Sequence, residues 1–314
     1  MPFTTACIVN NYNYCRYLAE AVDSALAQTR PFDQIIVVDD CSTDGSRELL
    51  RKRYGDNDRV RLLFKNENGG QLSTFNEAVA VATADLLFFL DADDRYLPAY
   101  LAEAAGYYES NPTCDFLFCG ITFFGNRAGE ERRYRGTTDL GCSRLVTLYG
   151  KKGETYIGAA TSTLSMKREV ARRILPIPFT EDWRGRADDC LVWGASIVGA
   201  RKHYLDSCLI EFRIHGSNIW AGRKYGPADR YRREIAIKRL HRYLLEREGL
   251  GPDIVELVHL EFRTIRRPTF GQFKSYCKIT FAATMGPARK LKSLTSMVFH
   301  YAEARLGNGE QAKQ

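Results

Sequence analysis

Apolar strands and amphipathic helices alternate through the first 120 residues, and this alternation constrains the fold more than any other feature of the chain. The pattern predicts four strands and four helices: strands Thr4–Val9, Gln34–Asp39, Arg59–Lys65 and Asp85–Leu90, and helices Cys15–Gln28, Gly45–Tyr54, Gly70–Thr83 and Pro98–Ser110. Strands that are separated by helices pair in parallel through right-handed crossovers. The sequence therefore predicts an α/β fold with a parallel sheet flanked by helices.

The pattern changes further along the chain. Another apolar strand runs through Cys114–Phe124, a charged and glycine-rich excursion follows at 125–153, and His203–Ile214 is predicted as a strand. Beyond Ala221 the periodicity is mainly helical, through Arg230–Arg247 and Asp253–Ile265. We predict one domain of enzyme size over residues 1–220, with halves of about 1–120 and 121–220. A helical basic region follows over 221–314.

Composition excludes several classes of protein. Hydrophobic residues make up 45% of the 314 residues and charged residues 26%, which is typical of a globular protein and not of a disordered or fibrous one. The N-terminus lacks the features of a signal peptide, and no apolar run reaches the roughly 18 to 20 residues needed to span a bilayer. Nine scattered cysteines without paired spacing indicate free thiols. These features predict a cytoplasmic protein.

Carboxylates follow the fourth predicted strand. Asp91 and Asp93 stand two residues apart, so their side chains share a face if the chain stays extended. Because ligands bind beyond the carboxyl ends of parallel strands, and Mg²⁺ or Mn²⁺ takes carboxylates together with substrate phosphates, this is a candidate metal and diphosphate site. A solvated acidic turn is the alternative. A phosphohydrolase motif, with Asp91 as nucleophile at the strand end, is a second alternative. That motif has Thr or Val four residues after the nucleophile, where this chain has Arg95.

A second acidic stretch, VDDCSTDGS, follows the strand Gln34–Asp39. Capping of the next helix explains Thr43 or Asp44, but it does not require both Asp39 and Asp40. A carboxylate that faces a ligand can accept a hydrogen bond from a pyrimidine imide or a ribose hydroxyl. We therefore expect a nucleotide near this turn.

Together these stretches resemble the family 2 glycosyltransferases. Asn10-Asn11-Tyr12-Asn13, VDDCSTDGS, Asn66-Glu67-Asn68-Gly69-Gly70-Gln71 and FFLDADD occur in that family's order and spacing, over about residues 4–110. The resemblance implies a GT-A (Rossmann-like) fold with a mixed, mostly parallel sheet flanked by helices, inversion at the anomeric carbon, and a nucleotide-sugar half at 1–120 followed by an acceptor half at 121–220. One departure is Cys41, where the family often has glycine.

The resemblance also implies roles for individual residues. Asn10, Tyr12, Asp40, Gly70 and Asp91 would bind the nucleotide-sugar, with Asp40 contacting the base. Mg²⁺ or Mn²⁺ would be bound by Asp93, with support from Asp91, and His215 would lie near it; this histidine is in the stretch Phe212–Asn218, which resembles the segment that closes the family's core. A UDP-sugar is favoured slightly as the donor.

A later acidic pair resembles the family's Glu-Asp motif. Asp189 precedes Trp193 by four residues, as in the family, so the resemblance implies that Asp189 is the catalytic base, with Asp188 in place of Glu and Trp193 in support. A helix N-cap pair is the alternative interpretation. The implied reaction moves a sugar to the hydroxyl of a sugar or lipid-linked acceptor, in cell-surface polysaccharide or glycolipid synthesis.

Two other functions would also use a nucleotide or a nucleotide-sugar. A sugar-phosphate nucleotidyltransferase would have a glycine-rich basic loop after the first strand, where this chain has Asn10–Asn13. Binding of a nucleotide-sugar without catalysis is the other alternative, and the sequence leaves it open.

The C-terminal region suggests a surface contact. Residues 262–302 contain eight Lys and Arg, no Asp or Glu, and interleaved aromatic residues. This composition suits an anionic membrane surface, which would place the protein on the inner face of the cell membrane. A helix packed on the core is the alternative. Nucleic acid binding is disfavoured because no recognition module is present.

Overall fold

The computed structural model describes residues 2–126, 129–134, 138–151, 153–216 and 226–306. Ten strands form one sheet: β1 (Thr5–Asn11), β2 (Gln34–Asp39), β3 (Val60–Phe64), β4 (Leu86–Asp91), β5 (Arg95–Tyr96), β6 (Phe116–Gly125), β7 (Glu131–Arg132), β8 (Asp139–Gly141), β9 (Leu164–Lys167) and β10 (Lys202–Ile214). The α-helices within the described residues are α1 (Cys15–Leu26), α2 (Ser46–Tyr54), α3 (Gln71–Val81), α4 (Tyr100–Ser110), α5 (Arg144–Tyr149), α6 (Arg168–Ile174), α7 (Asp188–Ile197), α8 (Pro227–Arg247), α9 (Val258–Arg263), α10 (Phe270–Ala282) and α11 (Pro287–Leu306).

The sheet is mixed and mostly parallel. Its strands follow the order β3-β2-β1-β4-β9-β6-β10-β5, and β1 to β4 pair in parallel with one another. Strand β9 is inserted antiparallel between β4 and β6, and β10 pairs in parallel with β6. The predicted α/β architecture is confirmed, and the four predicted helix–strand units occur with shifts of a few residues at their ends.

The strand register determines which side chains meet at the carboxyl edge. Asn10 of β1 pairs with Asp91 of β4, and Asn11 pairs with Asp39 of β2. The polar residues that end three strands therefore lie side by side at one edge of the sheet.

Two hydrophobic layers cover the sheet because successive strand residues point to opposite faces. In β4, Leu87 and Phe89 belong to the layer that includes α3, α6 and α7, while Phe88 and Leu90 belong to the layer that includes α1 and α4. All of these side chains are fully buried. Burial on both faces explains why β4 is a continuous apolar run, as is usual for parallel strands.

The C-terminal region is mainly helical, as predicted. Helix α8 packs on α7 through Leu240 and Leu244, while α9, α10 and α11 form a separate apolar cluster with α5. The segment 125–153, predicted as an excursion, contributes β7, β8 and α5 where it is described. The predicted boundary near residue 220 lies outside the described residues, as do Ser217 and Asn218, so this boundary stays a prediction.

No helix within the described ranges is both long enough and apolar enough to span a membrane.

Candidate active site

A cavity of about 1110 Å³ opens at the carboxyl edge of the sheet. Its wall includes seven of the ten residues that the sequence predicts for the site: Asn10, Tyr12, Asp40, Gly70, Asp91, Asp93 and Asp188. The other three contact wall residues: Asp189 pairs with Arg186, Trp193 packs on Tyr156, and His215 lies against Asp93. The predicted residues thus converge on one place, as expected where parallel strands end.

Asp40 is held rigidly at the cavity wall. Its carboxylate accepts hydrogen bonds from the backbone N–H groups of Gly69 at 3.0 Å and Gly70 at 2.7 Å, and it pairs with the ammonium of Lys65. Asp40 is only 2% exposed, and Lys65 also donates to Ser73 Oγ at 2.6 Å. The residue expected to contact the base therefore also fixes the turn that begins α3.

Backbone geometry explains the glycine at position 70. Gly70 has φ +79° and ψ 173°, a region that side chains make costly, and a Cβ there would lie 2.5 Å from the Cα of Arg184. Cys41 likewise has a positive φ of 64° where the family often has glycine, and its thiol donates to the Asn66 carbonyl at 3.3 Å. The backbone at this position therefore keeps its left-handed conformation although the chain has cysteine in place of glycine.

Three carboxylates form an acidic cluster at the end of β4. Ligand oxygens of Asp91, Asp93 and Asp94 lie within 4.8 Å of one another. Asp94 is 1% exposed and accepts hydrogen bonds from Ser162 Oγ at 2.6 Å and from the Arg213 N–H at 2.9 Å. Burial, followed by repulsion from Asp93, raises the pKa of Asp91 to about 7 and that of Asp94 well above its usual value.

The acidic cluster fits a hard divalent cation. All its ligand atoms are carboxylate oxygens, which Mg²⁺ and Mn²⁺ prefer, and a cation would offset the mutual repulsion that raises the pKa of Asp91 and Asp94. His215 Nε2 lies 3.0 Å from Asp93 Oδ2, with its ring against Tyr14 and Tyr17. His215 is therefore close enough to orient Asp93, or to serve as a further ligand after a small movement.

The acidic pair at the start of α7 is divided between two environments. Asp188 lines the cavity, where burial, followed by the charges of Asp189 and Asp91, raises its pKa to about 8. Asp189 is 0% exposed, and its carboxylate is held by the guanidinium groups of Arg186 and of Arg233 from α8. The structure thus brings Asp188, and not Asp189, to the cavity wall. The role of Asp189 as base stays a prediction.

One residue links the acidic cluster to the acidic pair. The amide of Gln71 donates to Asp91 Oδ1 at 2.9 Å, and its carbonyl oxygen accepts a hydrogen bond from the Ala187 N–H at 2.9 Å. Gln71 follows Gly70 directly, so the backbone conformation of Gly70 determines where this bridge begins. Trp193 lies further back, packed against Tyr156, Trp183 and His241, and supports α7 from behind.

Comparison with known proteins decides the family. The model described as Glycosyl transferase family 2 matches residues 6–174. The chain belongs to the family 2 glycosyltransferases. An uncharacterized glycosyltransferase of Nostoc sp. is 32% identical over 212 residues, covering 67% of this chain and 65% of that protein. The glycosyltransferase TuaG of Bacillus subtilis, named for teichuronic acid biosynthesis, is 33% identical over 214 residues, covering 68% of this chain and 79% of TuaG.

Solved structures agree on the fold of this family 2 glycosyltransferase. Residues 1–349 of S. aureus TarS, in complex with UDP-GlcNAc, superpose with a TM-score of 0.60 at 17% identity, covering 98% of this chain and 92% of TarS 1–349. The predicted family and GT-A fold are confirmed, and inversion is a known property of the family. These relatives lend no support to a nucleotidyltransferase.

Sequence reasoning missed several side chains of the site. Lys65, Gln71 and Arg184 border the cavity or hold its wall, and Arg186 and Arg233 hold Asp189. Lys65 and Gln71 could have been found, since they follow the third strand and precede the third helix at the same sheet edge. Arg233 could not, because it lies 44 residues beyond Asp189 on a helix outside the matched motifs.

Proposed function

We propose that this protein transfers a sugar from a nucleoside diphosphate sugar to an acceptor hydroxyl, with inversion at the anomeric carbon. The observation that carries the proposal is that Asp40, Asp91, Asp93 and Asp188 all line one cavity. Such a cavity has room for a nucleotide-sugar, with the base toward Asp40 and Tyr12 and the diphosphate toward Asp91 and Asp93. Tyr12 is 44% exposed and can stack on the base.

A UDP-sugar is the first donor to test. TarS is solved with UDP-GlcNAc, and the carboxylate of Asp40 is compatible with uracil. TuaG and the succinoglycan biosynthesis protein ExoU of Rhizobium meliloti, which is 26% identical over 274 residues, are named for polysaccharide synthesis. We propose a sugar or lipid-linked acceptor in such a pathway.

The chemistry requires three contributions from the chain. Asp93 and Asp91 would hold Mg²⁺ or Mn²⁺, which when bound neutralises the charge that develops on the leaving diphosphate. Gln71 keeps Asp91 in place and ties it to the segment before α7. A carboxylate of the acidic pair takes the proton of the acceptor hydroxyl, a step usually worth about 10² to 10⁴ in rate.

A thermal-shift screen of UDP-, GDP- and dTDP-sugars, with Mn²⁺ and with EDTA, tests donor and metal together. We expect one nucleotide class to stabilise the protein, and Mn²⁺ to enhance that effect in the wild type but not in Asp93→Ala. Asp182→Asn is the matched control, because Asp182 pairs with Arg239 outside the cavity wall. Stabilisation that is unaffected by EDTA would count against the metal site, and the absence of sugar transfer or donor hydrolysis would count against the enzyme.

An exposed apolar stripe supports the membrane contact expected over 262–302. On α11, four large side chains recur at helical spacing and stay exposed: Leu291 (67%), Val298 (52%), Phe299 (64%) and Leu306 (76%). They lie opposite Ser293 and Met297, which are buried against the C-terminal cluster. The helix is thus apolar on two faces, and only one of them packs on the described protein.

Charge complementarity favours an anionic lipid surface as the occupant. Phe270 and Phe281 on α10 are also exposed, with Lys274 and Lys278 between them on the same helical face. Apolar side chains of this kind enter the interface, and each nearby cation adds about 1 kcal/mol to binding an anionic membrane. We propose that α10 and α11 rest on the membrane that carries the acceptor.

Vesicle flotation tests this contact. We expect the wild type to float with phosphatidylcholine vesicles that contain phosphatidylglycerol, and Leu291→Asp/Phe299→Asp to stay at the bottom. Tyr231→Asp, which changes an aromatic residue that is 69% exposed on α8, should float like the wild type. Flotation of the Leu291→Asp/Phe299→Asp variant equal to that of the wild type would refute the membrane contact. A wild type that elutes as a dimer in gel filtration, does not float, and becomes monomeric in this variant would also refute it.

A further inference from the structure

One wall of the cavity is apolar, in contrast to the acidic and amide side chains at the ends of β1, β2 and β4. We call it the apolar wall, and it consists of Phe118, Ile121 and Phe123 of β6 with Phe212 and Ile214 of β10. Strand β6 pairs with β9 only over Phe116–Phe118, and its later residues pair with β7 and β10. The second half of β6 therefore forms this wall together with β7 and β10.

The apolar wall adjoins the acidic cluster. Phe212 packs edge-to-face on Phe123, with 5.9 Å between the ring centroids. The next residue along β10, Arg213, donates its backbone N–H to Asp94 at 2.9 Å, and His215 lies against Asp93. A molecule on the apolar wall would thus lie beside the place proposed for the leaving diphosphate, which is where an acceptor has to be.

Arg132 of β7 lies over this wall. It is directly opposite Ile121 in the antiparallel pairing of β7 with β6, so its side chain shares a face of the sheet with Ile121 and Phe123. Its guanidinium carbon lies 5.1 Å from the centroid of the Phe123 ring. The side chain is exposed and lines the cavity.

The charge of Arg132 is available to a ligand. Four arginines of the described chain line the cavity, and three of them pair with carboxylates of the protein: Arg133, Arg184 and Arg186. Arg132 forms no ion pair with any carboxylate in the part of the chain that the structure describes, and its contact there is with the Phe123 ring. A guanidinium presents paired N–H donors that match the oxygens of a phosphate or a carboxylate.

We propose that Arg132 binds an anionic group, a phosphate or a carboxylate, on the acceptor sugar, while the apolar wall packs on the sugar ring. Apolar walls with a few polar groups that determine specificity are typical of ligand sites. The inference rests on the proposed function and adds the chemical class of the acceptor. Arg132 takes no part in bond making or proton transfer, and it determines which acceptor binds.

Binding of three sugars that differ in charge tests the inference: methyl glucoside, glucose 1-phosphate and glucuronate. Mg²⁺ and UDP, or the nucleoside diphosphate that the thermal-shift screen selects, are kept at saturation so that a sugar phosphate cannot occupy the diphosphate site. Saturation-transfer difference NMR gives each Kd without turnover. We expect the wild type to bind one of the anionic sugars at least about tenfold more tightly than methyl glucoside, because hydrogen bonds between charged groups are the strong ones.

The sugar that gains this affinity identifies the anionic group as a phosphate or a carboxylate. Arg132→Gln should abolish the gain and leave the Kd of methyl glucoside and of UDP unchanged. Arg132→Lys keeps the charge and should keep part of the preference. Arg51→Gln is the matched control, because Arg51 also lies over a phenylalanine ring, 4.4 Å from the centroid of Phe64, but outside the cavity wall. This control should bind all three sugars like the wild type.

Several results would overturn the inference. It is wrong if the wild type binds the three sugars equally or binds none of them, and these outcomes need no variant to fold. It is also wrong if a folded Arg132→Gln keeps the preference.

Donor hydrolysis distinguishes an anionic acceptor from an anionic donor. Faster cleavage of UDP-glucuronate than of UDP-glucose, with a difference that Arg132→Gln abolishes, would place the anionic group on the donor and overturn the acceptor assignment. A wild type that shows the binding dependent on Arg132 but cleaves no donor would refute the proposed transfer and leave the anion site in place.

Discussion

Gly70→Ala is the sharpest test of how the site is built, because its effect follows from backbone geometry alone. Gly70 combines φ +79° with ψ 173°, a region almost restricted to glycine, where another residue costs about 1–3 kcal/mol. The new Cβ would also lie 2.5 Å from Arg184 Cα and 3.0 Å from the Arg184 carbonyl oxygen. Because both atoms belong to backbone, relief requires a main-chain shift, and overpacking of this kind costs about 1–3 kcal/mol.

The two contributions predict that Gly70→Ala lowers the free energy of unfolding by about 2–6 kcal/mol. Urea unfolding followed by tryptophan fluorescence measures it, since Trp183 and Trp193 are largely buried. A shift at position 70 also disturbs its N–H bond to Asp40, so nucleotide binding should weaken.

Gly106→Ala is the matched control. Gly106 lies within α4, and a Cβ there would meet no atom within 4 Å. Alanine is favoured over glycine inside a helix by about 0.5–1 kcal/mol, so this variant should be more stable than the wild type. The reasoning fails if Gly70→Ala unfolds at the wild-type urea concentration while Gly106→Ala behaves as expected.

Two further substitutions probe residues that hold the site in place. Asp39→Asn removes a fully buried carboxylate that accepts from Arg47 Nε at 2.8 Å, and it should cost about 3–5 kcal/mol in urea unfolding. Burial would raise the pKa of Asp39, but hydrogen bonds from Ser42 and Arg47 lower it below 3.8. The stability that this carboxylate contributes is therefore present above that pH and is lost as the pH falls. The free energy of unfolding of Asp39→Asn should consequently decrease less on acidification than that of the wild type. Gln71→Ala leaves the Ala187 N–H without its side-chain acceptor, which costs about 1–3 kcal/mol, and it should reduce donor hydrolysis more than UDP affinity.

The nucleotide half of the fold was predictable because its signals are local. Strands β1, β2 and β4 are short apolar runs that end in polar residues, and topology places those ends at one edge without any knowledge of side-chain contacts. The same logic located Asn10, Asp40, Asp91 and Asp93 at the cavity.

The missed parts depend on contacts between distant residues. Strand β9 enters the sheet antiparallel between β4 and β6, which no periodicity indicates. Helices α10 and α11 were predicted only as a basic amphipathic stretch, because sequence does not tell which apolar face packs and which stays exposed. Lys65 pairs with Asp40 across 25 residues, and the spacing of either residue within its own motif gives no sign of this.

The acidic pair shows most clearly where motif matching stops. Correspondence with the family identifies Asp189 by its distance from Trp193 in sequence, but the environment of a carboxylate depends on what surrounds it. Here α8, beyond the matched residues 6–174, contributes Arg233 and occupies the carboxylate of Asp189. Asp188, by contrast, lines the cavity. The C-terminal region therefore contributes to the site as well as to its proposed membrane contact, because Arg233 of α8 holds one carboxylate of the acidic pair.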